Sequence, residues 1–99
     1  ETRPLVPAYR LDIQPHVAEI IRHLPPDLKR AIKGALQALG RDPALGETLL
    51  RELEGLWKYR VRRFRIVYSV DRGKRVVRIF AVGHRRTIYE TVAALVHAR

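Results

Sequence analysis

Lys58, Arg60, Arg65, Arg85 and Tyr89 are the residues whose types could do chemistry together. Lys58 and Arg60 alternate along one strand-like stretch, which puts them on one side of it. Arg65 on the next stretch would bring a third cation to the same side. Arg85 and Tyr89 follow the third stretch and could close the group. Such a cluster is built to hold an oxyanion, because like charges on neighbouring strands repel unless an anion sits between them. Arginine outnumbers lysine sixteen to four, and its planar fork matches phosphate oxygens.

The charge is localised. From Trp57 to Arg86 there are eleven Lys or Arg against one acid, Asp71, so this stretch carries +10, the net charge of the whole protein. The remaining residues hold nine bases and nine acids. A one-sided field of this kind recruits a polyanion. If that polyanion is RNA, its 2′-OH is an internal nucleophile. Cleavage then needs a base for that proton, cations for the phosphorane oxygens and an acid for the departing 5′-oxygen. Without a well-placed His or Glu, those roles would fall to Lys58, Tyr89 and Arg85. Amines and phenols hold their protons well above pH 7, so a base of this type needs neighbouring positive charge to lower its pKa.

Other chemistries find little support. There is no cysteine, which excludes disulfides and thiolates and fits a reducing cytoplasm. His16, His23, His84 and His97 are scattered, and His16 and His23 lack the i, i+4 spacing of a zinc helix. No metal site and no cofactor are expected. There is no Gly-rich phosphate loop, and the basic stretch has no carboxylate pair. No apolar run approaches the roughly 20 residues that span a bilayer. The opening residues lack a basic start followed by an apolar core, so they do not read as a signal peptide.

The elements that must position the cluster follow from periodicity. The chain of 99 residues reads as one domain, with residues 1–8 as a flexible or irregular N-terminal segment. Tyr9 to Ile13 alternates like a half-buried strand. His16 to Leu24 carries an apolar stripe at Val17, Ile20, Ile21 and Leu24. After Pro25-Pro26 a second helix carries Leu28, Ile32, Ala35, Leu36 and Leu39, so the pair reads as an αα-hairpin laid on a sheet. Leu49, Leu50, Leu53 and Leu56 should tuck the following connection against the core.

Three strands then form a meander. Trp57, Tyr59 and Val61 face one way, and Phe64, Ile66, Tyr68 and Val70 do the same on the second strand. A hairpin turn follows at Gly73, with glycine supplying a positive φ. The third strand, Arg75 to Val82, is nearly all apolar and so central, covered on one face. Thr87-Ile88-Tyr89-Glu90 has the form of a capping box for a last helix. The expected fold is α/β in the α+β sense. It is a single compact domain of order β-α-α-β-β-β-α, an antiparallel meander sheet with the αα-hairpin on one face and a basic concave face opposite.

Over Tyr9 to Val96 the chain resembles the RelE family of the RelE/ParE toxin superfamily. The specific part is Leu-Trp-Lys-Tyr-Arg-Val from Leu56, Phe-Arg-Ile-Val-Tyr from Phe64, and Ala-Val-Gly-His-Arg-Arg-Thr-Ile-Tyr from Ala81. The resemblance implies the toxin of a type II toxin–antitoxin system, a cytoplasmic, metal-independent mRNA interferase. Such an endoribonuclease cuts mRNA in the ribosomal A site, leaves a 2′,3′-cyclic phosphate and a 5′-OH, and inhibits translation. It places the catalytic positions on Lys58, Arg60, Arg65, Arg85 and Tyr89. Arg62, Arg63, Arg78, His84 and Arg86 are then expected to bind RNA, with His84 in a minor role. The implied partners are ribosomal RNA, ribosome-bound mRNA and an antitoxin whose acidic or amphipathic segment wraps the toxin. Two other readings stand beside it: a gyrase-poisoning toxin of the same superfamily, and a non-enzymatic RNA- or ribosome-binding module.

Overall fold

The computed structural model describes residues 8–97. The expectation of a flexible segment at residues 1–8 falls almost wholly outside them. The chain forms β1 (Arg10–Ile13), α1 (Pro15–Arg22), α2 (Pro26–Arg41), β2 (Glu47–Thr48), β3 (Trp57–Val61), β4 (Phe64–Asp71), β5 (Val76–His84) and α3 (Ile88–His97). One five-stranded sheet runs in the order β1-β5-β4-β3-β2. The meander β3-β4-β5 is antiparallel as expected, but β1 joins β5 in parallel, so the sheet is mixed. A two-residue strand, β2, closes the other edge against β3.

The helical hairpin forms where its stripes predict. Pro15 and Pro26 lie in the first turns of α1 and α2, where a missing N–H costs nothing. Val17, Ile21, Ile32, Leu36 and Leu39 are buried against Ile66, Tyr68, Val77, Ile79 and Val82. Trp57, Tyr59, Phe64 and Val70 pack on the same cluster, so the parity read for β3 and β4 holds. A smaller cluster lies on the opposite face, where α3 sets Ile88 and Val92 over Val67 and Ala81. Strand β5 is therefore covered on both faces, not one, which explains its nearly unbroken apolar run.

A bulge at Phe80 sets which way the end of β5 faces. Tyr68 pairs with Ile79 and Val67 with Ala81, so Phe80 is the extra residue. The bulge keeps Val77, Ile79 and Val82 together on the hairpin face, where unbroken alternation would turn Val82 away. The His16 ring lies 3.1 Å from the Phe80 carbonyl. Beyond the bulge, Gly83 stands opposite Arg65 and His84 opposite Phe64.

Several local expectations are corrected. Gly73 does not take a positive φ; in the four-residue β4–β5 turn it is Arg75 that does, at 55°, while the Lys74 N–H donates to the Asp71 carboxylate at 2.9 Å. The capping box is not made, because the Thr87 N–H donates to the His84 carbonyl at 3.1 Å rather than to Glu90. Leu49, Leu53 and Leu56 pack on the α3 cluster, whereas Leu50 is 74% exposed. No helix among the described residues is long and apolar enough to cross a membrane.

Candidate active site

Strand pairing assembles the basic cluster. In the β3–β4 ladder Arg60 stands directly opposite Arg65, and Lys58 stands opposite Val67. All lie on the face away from the helical hairpin, because Trp57, Tyr59 and Val61 take that side. The β3–β4 hairpin is tight, with only Arg62 and Arg63 between the strands, and Arg62 adopts a left-handed φ of 56° to make the turn. Arg65 folds back on this turn and donates to the carbonyls of Phe64 at 2.9 Å and Arg62 at 3.2 Å. Those acceptors hold the guanidinium without neutralising it.

A depression of about 290 Å³ opens among Lys58, Arg60, Arg65 and Glu47. Glu47 was not foreseen, since it lies ten residues before the basic stretch. It reaches the site because β2 pairs with β3 in a register that sets Glu47 opposite Lys58. Its carboxylate comes within 3.8 Å of the Lys58 ammonium. A buried lock positions this short strand. The Tyr68 hydroxyl donates to the Pro43 carbonyl at 2.7 Å and accepts from the Gly46 N–H at 3.1 Å. Burial pushes the Tyr68 phenol up to about 12, with the Gly46 hydrogen bond opposing the shift. A side chain at Gly46 would run into the Lys58 carbonyl and the Tyr68 hydroxyl, so only glycine fits that approach.

Helix α3 supplies Tyr89. The half-buried Tyr89 packs on the α3 cluster, and its ring centroid lies 5.9 Å from the Lys58 Nζ, within cation–π range. Helix α3 can sit this close to β5 because Gly83 lacks a side chain; a Cβ there would meet Ile88 at 3.1 Å. Arg85 is tied to the same end of the sheet, its N–H donating to the Arg63 carbonyl at 2.8 Å. Its side chain is exposed, as are those of Arg62, Arg63 and Arg86.

Two of the expected RNA-binding residues lie apart. His84 faces the hairpin side, edge-on to Phe64 at 5.9 Å, and its Nδ1 accepts from the Arg86 N–H at 3.2 Å. The bulge at Phe80 put it there. Arg78 lies toward the β1 edge and pairs with Asp12 at 3.2 Å. Among the described residues no group of three His, Asp or Glu is placed to hold a metal.

The comparisons with known proteins bear on the family and the fold. A family model described as the ParE toxin of type II toxin–antitoxin system, parDE, matches residues 9–89. No curated protein matches the chain in sequence. Among solved structures, a chain of the toxin–antitoxin complex RelBE2 from Mycobacterium tuberculosis is 29% identical with a TM-score of 0.72, the match covering 85% of this chain and 98% of that one. The isolated RelE toxin of E. coli is 27% identical with a TM-score of 0.67, covering 78% of this chain and 84% of that one. The archaeal RelE–RelB complex from Pyrococcus horikoshii shares the fold, with 22% identity, a TM-score of 0.66 and coverage of 79% and 96%. With a family model matching residues 9–89 and the RelE fold over most of its length, the chain belongs to the RelE/ParE superfamily and is a toxin of the type II toxin–antitoxin class.

Proposed function

We propose that this toxin is a ribosome-dependent endoribonuclease that cuts mRNA in the A site and so stops translation in the cytoplasm. The observation that carries the reading is the depression that brings Lys58, Arg60, Arg65 and Glu47 together, with the Lys58 ammonium over the Tyr89 ring. Arg60 and Arg65 face each other across one ladder rung and suit two non-bridging oxygens of a single phosphate. The 2′-oxygen attacks phosphorus, the bond from phosphorus to the 5′-oxygen breaks, and the products are a 2′,3′-cyclic phosphate and a 5′-OH. The 2′-OH proton goes to Glu47, because a carboxylate accepts a proton directly whereas an ammonium must first lose its own. The Lys58 ammonium or the Tyr89 hydroxyl returns a proton to the departing oxygen. Arg60, Arg65 and Arg85 stabilise the charge that grows on the phosphorane. Protein groups thus fill every role without a metal. Arg62, Arg63 and Arg86 add the field that draws in ribosomal RNA. The toxin is held in check by an antitoxin with an acidic or amphipathic segment.

The ParE description of the matching family favours a second reading, a toxin that poisons DNA gyrase. A purified translation system programmed with a defined mRNA separates the two. Primer extension is run with wild type, Arg85→Ala, Tyr89→Phe and Glu47→Gln. Ribosome-dependent cuts that vanish in Arg85→Ala and weaken in the other two support the nuclease. Intact mRNA together with gyrase-linked DNA breaks establishes the second reading. Intact mRNA with salt-sensitive ribosome binding leaves a binding module.

A further inference from the structure

Glu47 reaches the depression on the shortest strand of the sheet. Strand β2 has two residues, both exposed, and its ladder with β3 has two pairs, Glu47 with Lys58 and Thr48 with Trp57. So short a pairing is marginal without support from elsewhere. The neighbours of Glu47 are Gly46, which has no side chain, and the exposed Thr48, so burial does not hold the carboxylate in place. On the far side the Leu49 N–H ties the chain to the Leu56 carbonyl at 2.9 Å. On the near side the tie is Tyr68.

Tyr68 is fully buried on the hairpin face and stacks on Trp57 with ring centroids 6.1 Å apart. Its hydroxyl spans the turn before β2, giving its one proton to the Pro43 carbonyl and a lone pair to the Gly46 N–H. Pro43 is itself buried. The Asp42 carboxylate closes the same turn from outside by accepting from the Ala44 N–H at 3.1 Å. A phenylalanine would fill the same place in the core and keep the stack on Trp57. What the hydroxyl adds is the placement of residues 43–46, and that turn leads directly into Glu47. We infer that Tyr68 is a positioning residue for RNA cleavage, which holds the Glu47 carboxylate beside Lys58 where it can take the 2′-OH proton. The inference rests on the reading of the chain as a nuclease with Glu47 as its base. A base acts only within hydrogen-bond reach of its proton, and a displacement of about 1 Å can cost about 100-fold in rate. Tyr68 acts from the other face of the sheet, through the turn and β2.

The test is single-turnover cleavage of mRNA on programmed ribosomes, at a temperature well below every variant's melt. Wild type is compared with Tyr68→Phe, Glu47→Gln and the double variant. Ile32→Val, a core change away from the site, controls for lost stability. Tyr68→Phe is expected to cut about 10- to 100-fold more slowly, and Ile32→Val as wild type does. In the Glu47→Gln background, Tyr68→Phe is expected to change the rate by less than about twofold, because two residues that act through one step do not add. The fall in rate toward acid pH that a carboxylate base produces is expected in wild type, flattened in Tyr68→Phe and absent in Glu47→Gln. Asp42→Ala, an exposed change that loosens the same turn without touching the core, is expected to give a smaller loss with the same pH signature. A Tyr68→Phe rate within a few-fold of wild type overturns the inference. So does a loss that persists in full in the Glu47→Gln background, or one that Ile32→Val reproduces. If Glu47→Gln loses cleavage and Tyr68→Phe does not, the inference alone falls. If Glu47→Gln cuts as wild type does, Glu47 is not the base, and the inference falls while the nuclease stands. If wild type cuts nothing, the nuclease reading falls and takes this role with it.

Discussion

The two ends of β4 carry the same kinds of side chain and use them differently. At the β4–β5 turn Arg72 and Lys74 are exposed and have no side-chain partner among the described residues, but Arg75 and the nearby Arg78 serve the fold. Arg75 donates to the Ala8 carbonyl at 3.0 Å and covers the Tyr9 ring at 5.1 Å, and its own carbonyl accepts from the Arg10 N–H. Arg78, nearby on β5, is paired with Asp12. At the β3–β4 turn, Arg60, Arg62, Arg63, Arg85 and Arg86 have no carboxylate within ion-pair distance among the described residues, and Arg65 donates only to carbonyls. One acid, Glu47, reaches Lys58 there. Charge count alone would treat both ends as one basic surface. The difference teaches that a cation's partners, more than its presence, separate a structural arginine from one held ready for an anion.

The sharpest break of this comparison is Arg65→Ala. Removing a preorganised donor to developing charge is expected to lower cleavage about 100- to 1000-fold, with the thermal melt little changed. A rate within a few-fold of wild type, measured by single-turnover cleavage, would dissolve the distinction between the two ends. Next in size is Tyr68→Phe, which leaves the Pro43 carbonyl and the Gly46 N–H without their partner. Its expected cost is about 1–3 kcal/mol in urea unfolding. The same lock predicts a pH effect. The folded phenol titrates at about 12, above the usual value near 10, so its contribution is fully present below about pH 10. It is lost as pH rises toward 12. The stability gap between wild type and Tyr68→Phe should therefore narrow over that window, and a constant gap would contradict the assignment.

Smaller effects are expected at the other end. Arg75→Ala should cost about 1 kcal/mol of stability through the lost hydrogen bond and cation–π contact, with cleavage unchanged. Arg78→Ala should cost at most about 1 kcal/mol, as exposed ion pairs do. If it slowed cleavage as Arg65→Ala is expected to, Arg78 would belong with the RNA-facing set.

Much of this architecture is legible in the amino-acid sequence. Alternation in Trp57–Val61 and Phe64–Asp71 dictates which residues face the helices, because one face of each strand has to be buried. The αα-hairpin follows from its two stripes and from Pro25-Pro26. What escapes depends on tertiary pairing. Period-two alternation describes a strand but not its neighbour, so the parallel pairing of β1 with β5 leaves no local mark. The same holds for β2, whose two residues are too few to show a period, and with it for Glu47. The nearest signal is Gly46, whose bare Cα lets Glu47 approach Lys58. The bulge at Phe80 is equally silent, since apolar residues on both faces of β5 hide a change of parity. That change carries His84 to the hairpin side.

The central claim is that the end of the sheet that gathers Lys58, Arg60 and Arg65 is a phosphate site and the end that holds Arg75 and Arg78 is not. The direct measurement is single-turnover cleavage of A-site mRNA on programmed ribosomes by Arg65→Ala and Arg78→Ala side by side. Loss of about 100-fold or more in the first, with a rate near wild type in the second, is the predicted result. Equal losses in the two variants, or none in either, would contradict it.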